Sequence, residues 1–187
     1  FLHDAVWGYL RFRSGRWGER RSLGTPPHWK GPVVVVVGPN TRGPAESLAA
    51  GLQATGRAIV VGAARTAGQG GAAIVAQWTG RSRLLFAVAT RFDPSGKPID
   101  GVGLKPDVLV EAPSNRLIPR LGVGEPLIGR ASPTGPWKTQ AVRKLASTPL
   151  ATLRALAHRA AKQRDGDPVE AAALAIAARL AERETKR

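Results

Sequence analysis

The apolar and polar positions of the chain first suggest a strand, a helix and a second strand. Residues 33–37 are five consecutive valines, a pattern typical of a strand buried on both faces of a parallel sheet. A helical pattern follows over residues 44–55, with Leu48 and Leu52 four positions apart, and Gly56 stands where such a helix would end. Residues 58–61 predict the next buried strand. Together these segments predict a β-α-β crossover, which we expect to be right-handed.

The flanking segments predict further strands on both sides of this crossover. Residues 5–13 partly alternate between apolar side chains and arginine, which is typical of a strand with one solvent-facing side. Residues 16–30 are polar and contain a Pro-Pro pair, so we expect no regular element there. Residues 72–78 and 84–90 predict two strands around a Thr-Gly turn, and residues 108–110 predict a short closing strand.

The last third of the chain has a different character. Residues 113–147 are rich in Pro and Gly and predict an irregular arm, whereas residues 148–163 and 168–185 predict two helices. Asp167 is the expected N-cap of the second helix. Its apolar stripe should dock on the rest of the domain or, alternatively, serve an oligomer. The stripe comprises Ala173, Leu174, Ala177, Leu180 and Ala181.

Composition narrows the class of protein. With 187 residues, 43% of them hydrophobic, the chain can form one domain with a real core. It has no apolar run long enough to span a membrane. Zero cysteines exclude disulfides and thiolate metal sites, and the three widely spaced histidines make a metal site improbable, so we expect neither metal nor cofactor. The chain contains no Met, and we therefore expect it to be a fragment whose targeting signal would lie upstream.

The net charge of +15 raises the alternative of a basic nucleic-acid-binding module. Trp17 and Trp29 stand among several arginines, an arrangement that can stack bases but more often forms cation–π pairs. The charges are scattered and no known nucleic-acid motif is present, so we expect mostly solvated faces.

A glycine-rich segment follows the predicted crossover. Residues 65–71, RTAGQGG, could form a phosphate-binding loop. No Lys-Ser or Lys-Thr pair follows, and the glycine spacing does not fit a dinucleotide-binding turn. The loop alone therefore does not identify a nucleotide site.

Three stretches taken together resemble a known family. AESLAAGLQATGRAIVVG, then TAGQGG, then RFDPSGKPIDGVGLKPDVLV are similar to the carboxyl-terminal processing (tail-specific) proteases of peptidase family S41. The resemblance implies an α/β fold with a ClpP/crotonase-like β-α-β sheet core and a helical C-terminal tail. It also implies an extracytoplasmic or organellar location. We accordingly expect three parts: residues 1–112 as the second half of the protease-like domain, 113–147 as the arm and 148–187 as the tail.

The same resemblance locates the positions of the family's Ser–Lys dyad. Aligned through Glu46, the nucleophile position falls on Gly43, and the lysine position falls on Gln69. Gly43 has no side chain, and a Gln amide is no general base near neutral pH. Pro44 stands where the family uses a backbone N–H to hold the oxyanion, and Pro has no N–H. The resemblance therefore implies a peptidase domain that has lost its catalytic groups.

An alternative is an active serine peptidase with a displaced nucleophile. Two hydroxyls and two lysines are the candidates for it. Thr41 matches a small residue that often precedes the family nucleophile, and Ser47 would lie about one turn into the helix. Lys97 and Lys105 are expected to be solvated lysines on surface turns. The implied partners are an extended peptide or an unfolded protein C-terminus, bound by β-addition to a sheet edge, and the missing N-terminal half of the same protein.

Overall fold

The computed structural model describes residues 1–24, 26, 29–69, 71–77, 80, 82–110, 149–163 and 167–184. The predicted arm over 113–147 lies outside these residues, as does most of the Thr-Gly turn predicted after the fifth strand. In chain order the elements are β1 (Val6–Phe12), β2 (Trp17–Arg21), β3 (Val34–Val37), α1 (Pro44–Ala54), β4 (Ile59–Gly62), β5 (Ala72–Gln77), β6 (Arg83–Phe92), β7 (Val108–Leu109), α2 (Leu150–Gln163) and α3 (Pro168–Glu184).

The first sheet is antiparallel and has the strand order β2-β1-β6-β5. Strand β2 corrects the expectation that residues 16–30 form no regular element. Trp17 pairs with Arg11 across the β1–β2 ladder, and its ring meets Phe92 edge-on at 5.1 Å. Glu19 and Arg21 are exposed, whereas Arg20 between them is partly buried. Pairing with β1 and one aromatic anchor therefore outweigh the polar composition.

The second sheet is parallel, with the order β3-β4-β7. The predicted crossover is confirmed, because β3 and β4 run parallel from Val34 opposite Ile59 onward. Strand β4 is buried on both faces, with Ile59 in the core under α2 and α3 and Val60 in the core under α1. The prediction that the valine strand is buried on both faces is wrong for β3, because Val36 is 52% exposed. β3 lies at the sheet edge, and the helical layer packs on it only near Val34.

Helix α1 lies between the two sheets and contacts both through small residues. It ends as predicted, with Gly56 in the left-handed conformation at φ 66°. Leu48 and Leu52 were predicted to share the apolar face of the helix. Leu52 is buried, but Leu48 is 51% exposed, so the prediction is wrong for Leu48. A Cβ added to Gly51 would lie 2.6 Å from the carbonyl oxygen of Trp7, so the helix backbone nearly touches β1. Such close approach favours glycine and alanine over leucine at the contact.

Helices α2 and α3 cover the other face of the parallel sheet. Asp167 is confirmed as the helix cap, since its Oδ1 accepts the Val169 N–H at 2.8 Å. Docking on the parent domain is also confirmed, because Ile176 is fully buried in one core with Val61 and Val108. The predicted stripe was partly wrong: Leu174 and Ala181 are exposed, and the buried face is centred on Ala172 and Ile176. The helix packs on α2 as well as on the sheet, which rotates its buried face away from Leu174.

Within the part of the chain that the structure describes, neither α1 nor the two C-terminal helices combine the length and hydrophobicity that crossing a lipid bilayer requires.

Candidate active site

The candidate site lies where β3 gives way to α1. Gly43 precedes the first residue of α1 and has φ 63° and ψ −134°. An L-residue with a side chain is strained in this region of backbone space. Gly43 is buried, yet a Cβ built on it meets no described atom within 4 Å. A side chain at this position would therefore project into open space from a fixed and strained backbone.

Glu46 joins the first turn of α1 to the segment that follows β4. Its side chain is completely buried. Oε1 accepts the Thr66 hydroxyl at 2.5 Å and the Gly68 N–H at 2.6 Å. Oε2 accepts the N–H groups of Gly43 at 3.1 Å and Gln69 at 3.2 Å. These bonds satisfy a buried carboxylate with fixed donors and hold the helix start against residues 66–69.

Gly43 and Gln69 are in direct backbone contact. The N–H of Gly43 donates to the carbonyl oxygen of Gln69 at 2.9 Å. Thr41 is tied to the same segment, because its carbonyl oxygen accepts the Ala67 N–H at 2.9 Å. The structure thus brings together the two positions that the sequence resemblance assigns to the dyad, although they are 26 residues apart in the sequence.

Arg91, near the end of β6, is the buried cation of the site. Its Nη2 lies 3.3 Å from Glu46 Oε2 and donates to the Gln69 carbonyl at 2.9 Å, and its Nη1 donates to the Gly43 carbonyl. Asp100 holds the guanidinium from the other side, accepting from Nε at 2.8 Å and from the Arg91 main-chain N–H at 2.7 Å. One guanidinium therefore lies between two carboxylates and holds both dyad-position carbonyls.

The two candidate hydroxyls lie near this network without a base. Thr41 Oγ1 accepts the Gly38 N–H at 3.1 Å in a local turn. Ser47 is buried, and its Oγ lies 3.4 Å from Arg91 Nη1, a cation that cannot accept a proton. Among the described residues, neither hydroxyl is hydrogen-bonded to a lysine, a histidine or a carboxylate.

The remaining sequence-based candidates lie outside the site. Lys97 and Lys105 are exposed on turns, as predicted. The sequence pattern did not indicate Arg91 and Asp100 as part of the site. A signal was present, since Arg91 is the one charged residue among positions 84–92 of the otherwise largely apolar strand β6. In the described part of the chain, no three His, Asp or Glu side chains are placed to hold a metal ion.

Of the two tryptophans predicted to form cation–π pairs, Trp17 does so, and no such pair is found for Trp29 among the described residues. The Arg11 guanidinium lies 5.7 Å from the Trp17 ring centre, and that of Arg20 lies 4.3 Å from Trp7. Trp29 is exposed, and its indole N–H donates to a main-chain carbonyl at 3.1 Å. The rings of Trp7 and Trp17 are therefore already occupied by arginines of their own sheet.

Comparison with known proteins agrees with this geometry. The family model of peptidase family S41 matches residues 1–110. Among solved structures, the chain is similar to a photosystem II D1 C-terminal processing protease, with 25% sequence identity and a TM-score of 0.52. That similarity covers 59% of this chain and 28% of the protease, so the chain spans under a third of the length of that structure. No curated protein matches the chain.

Proposed function

This chain belongs to peptidase family S41, and from that premise we propose that it is a domain of this family without a working Ser–Lys dyad, which binds peptide or serves as a scaffold. In this proposal Gly43 and Gln69 occupy the dyad positions. The domain spans residues 1–112 and is completed by the helical tail. Peptide, in the form of an extended segment or an unfolded C-terminus, is the ligand.

The observation that carries the proposal is the contact between Gly43 and Gln69. A nucleophile and its base must lie within hydrogen-bond reach of each other, and the backbones of these two residues are 2.9 Å apart. Gly43 offers no attacking oxygen and Gln69 offers no proton acceptor of suitable basicity. The two positions are close enough for a dyad, but their side chains cannot perform its chemistry. This supports a domain that keeps the family fold and has lost the dyad.

The backbone of Gly43 gives independent support. Serine nucleophiles at strand-to-helix turns are often held in strained backbone conformations. Gly43 has such a conformation, with free space where a side chain would project. Pro44, the next residue, has no N–H to donate to an oxyanion. Glycine here removes the attacking group and relieves the strain in one substitution.

Peptide binding is supported by the sheet edge beside the site. Strand β5 begins at Ala72, shortly after Gln69. Among the described residues β5 pairs with β6 alone, and this leaves one row of its backbone groups unpaired. An extended peptide can add to such an edge as another strand, with backbone hydrogen bonds that do not depend on hydrolysis.

A serine-reactive phosphonate probe tests the loss of catalysis. The full-length protein should form no adduct at Thr41 or Ser47 above the level at Ser95, a turn serine whose Oγ bonds to Asp93 at 2.7 Å. Peptide mass mapping after labelling makes the comparison. A stoichiometric adduct at Thr41 or Ser47 would establish a displaced nucleophile and refute the proposal.

Hydrogen exchange tests the binding half of the proposal. Adding an unfolded peptide with an apolar C-terminus should slow exchange of the outward-facing amides of β5, because β-addition gives them new acceptors. Amides of β2, the opposite edge of the same sheet, serve as the internal control. Equal protection of both edges, or protection of neither, would count against binding at β5.

A further inference from the structure

A cavity lies apart from the Gly43–Gln69 pair. It is a cleft of about 750 Å³ between α1, the turn-rich segment 93–107 and Arg154 of α2. Its volume is within the usual range of ligand pockets, about 300–1,000 Å³. Neither Gly43 nor Gln69 lines it, so the cleft is not an extension of the candidate active site. It is bordered by the PSGKPI and GVGLKPD sequences, and the second of these also holds residues 66–68 of the candidate active site through hydrogen bonds from Leu104 and Gly101.

The cleft has an apolar floor. Ala50 of α1, Ile99 and Leu104 contribute to it, and all three belong to the core cluster under α1. Val102 adds a half-exposed apolar side chain. The wall opposite α1 is held in place because Gln53 Nε2 donates to the Lys105 carbonyl at 3.0 Å. The floor is thus preformed by side chains that are packed in the core, and the exposed apolar surface comes mainly from Val102.

The carboxylates of the cleft are already engaged by the protein backbone. Asp107 Oδ2 accepts the Val60 N–H at 2.8 Å. Asp93 Oδ1 accepts the N–H groups of Ser95 at 2.8 Å and Lys97 at 2.9 Å. Asp93 therefore fixes its own turn and Asp107 links β4 to the segment before β7, and neither forms a salt bridge with a described cation of the cleft.

The cations of the cleft outnumber these two carboxylates. Among the described residues, Arg65 and Arg154 each donate to one main-chain carbonyl, at 3.3 and 3.2 Å, and to no carboxylate. Lys97 and Lys105 are exposed and form no salt bridge with any described carboxylate. The cleft therefore combines an apolar floor with a positively charged rim whose charge is not cancelled locally.

We propose that this cleft binds an acidic peptide segment, in which apolar side chains contact the floor and carboxylates contact Lys97 and Lys105. The proposal rests on the proposed function only in taking peptide as the ligand, since the cleft lies one to two turns further along α1 than Glu46 and contains neither Gly43 nor Gln69. A nucleic acid fits less well. No aromatic ring is present among the described lining residues, so bases have no stacking surface, and the apolar floor has no use for a phosphate backbone.

Fluorescence anisotropy with a labelled peptide of alternating Leu and Glu tests this inference. Replacing both Lys97 and Lys105 with Gln should weaken binding about tenfold, near the upper range for two partly exposed ion pairs. The matched control replaces Lys30 and Lys162, which are also exposed lysines and lie outside the cleft. The control removes the same charge and should weaken binding less than about twofold.

Two further arms separate specific binding from general attraction to a basic protein. A peptide with Gln at every Glu position should bind at least about tenfold more weakly, because it keeps the apolar contacts but loses the ion pairs. Single-stranded DNA of equal charge should not displace the acidic peptide at 150 mM salt. Equal losses for the two lysine pairs, equal binding of the two peptides, or displacement by DNA would each overturn the inference. Protection of β5 by an apolar peptide is a separate readout, so failure here leaves the proposed function testable.

Discussion

Replacing Glu46 with Gln should cost a large part of the stability of the fold. All five polar contacts of the Glu46 carboxylate come from donors: the Thr66 hydroxyl, the Arg91 guanidinium and three main-chain N–H groups. A Gln side chain keeps the shape but presents one oxygen and one NH₂ group. Whichever way the amide turns, its NH₂ must face donors inside a buried site.

The expected loss of stability is set by the orientation of the Gln amide at position 46 that breaks the fewest hydrogen bonds. The oxygen would stay with Thr66 and Gly68, the two closest partners, and the NH₂ would then face Gly43, Gln69 and Arg91. Gly43 retains the Gln69 carbonyl as acceptor and Arg91 retains Asp100, so the unpaired donors are the Gln69 N–H and the new amide. Two such groups at about 1–3 kcal/mol each give a loss of about 2–6 kcal/mol. Typical domains have only about 5–15 kcal/mol in total.

Urea unfolding followed by circular dichroism measures this loss. Glu182→Gln is the matched control, because Glu182 is an exposed glutamate paired with Arg179 at 3.0 Å, and it should cost less than about 1 kcal/mol. If the Glu46 variant lost no more free energy of unfolding than the Glu182 variant, the described role of Glu46 would be wrong.

Three further substitutions probe the backbone around the site and the helical layer, each read from urea unfolding. Gly43→Ala should lower the free energy of unfolding by about 1–3 kcal/mol, because a side chain is strained at φ 63°. Gly38→Ala is the control: its added Cβ also has free space, but Gly38 has no positive φ, so stability should change by less than about 0.5 kcal/mol. Equal effects of the two substitutions would contradict the strain at Gly43. Gly51→Ala should lower stability, because the new Cβ would lie 2.6 Å from the Trp7 carbonyl oxygen. In a solvent-exposed helix the same substitution raises stability by about 0.5–1 kcal/mol. A gain in stability here would refute the close approach of α1 to β1. Asp167→Ala should cost about 0.5–2 kcal/mol by removing the cap of α3, and an unchanged midpoint would show that the cap contributes nothing.

Local signals in the sequence predicted much of the fold. The β-α-β crossover rests on residue types that act within a few positions, namely the valine run and Gly56 in its left-handed conformation. The start of α3 rests in the same way on Asp167. Backbone preference and capping decide such features without knowledge of distant partners. They are therefore available in a single sequence.

Features that depend on distant partners were not predictable in the same way. Strand β2 forms because Trp17 meets Phe92, 75 positions away in the sequence. Leu48 faces solvent because Gly51 places the helix against β1. The position of Glu46 was available from the resemblance, but its bonds to Arg91 and to residues 66–69 depend on three separate elements meeting. Tertiary contacts of this kind override local pattern.

The most direct test of the central claim is turnover of an unfolded protein substrate with an apolar C-terminus by the purified full-length protein. We expect no cleavage above a buffer control. We expect the same baseline for Thr41→Ala and Ser47→Ala, because no described base is hydrogen-bonded to either hydroxyl. Cleavage by the unmodified protein that disappears in either variant would contradict the account and identify the nucleophile.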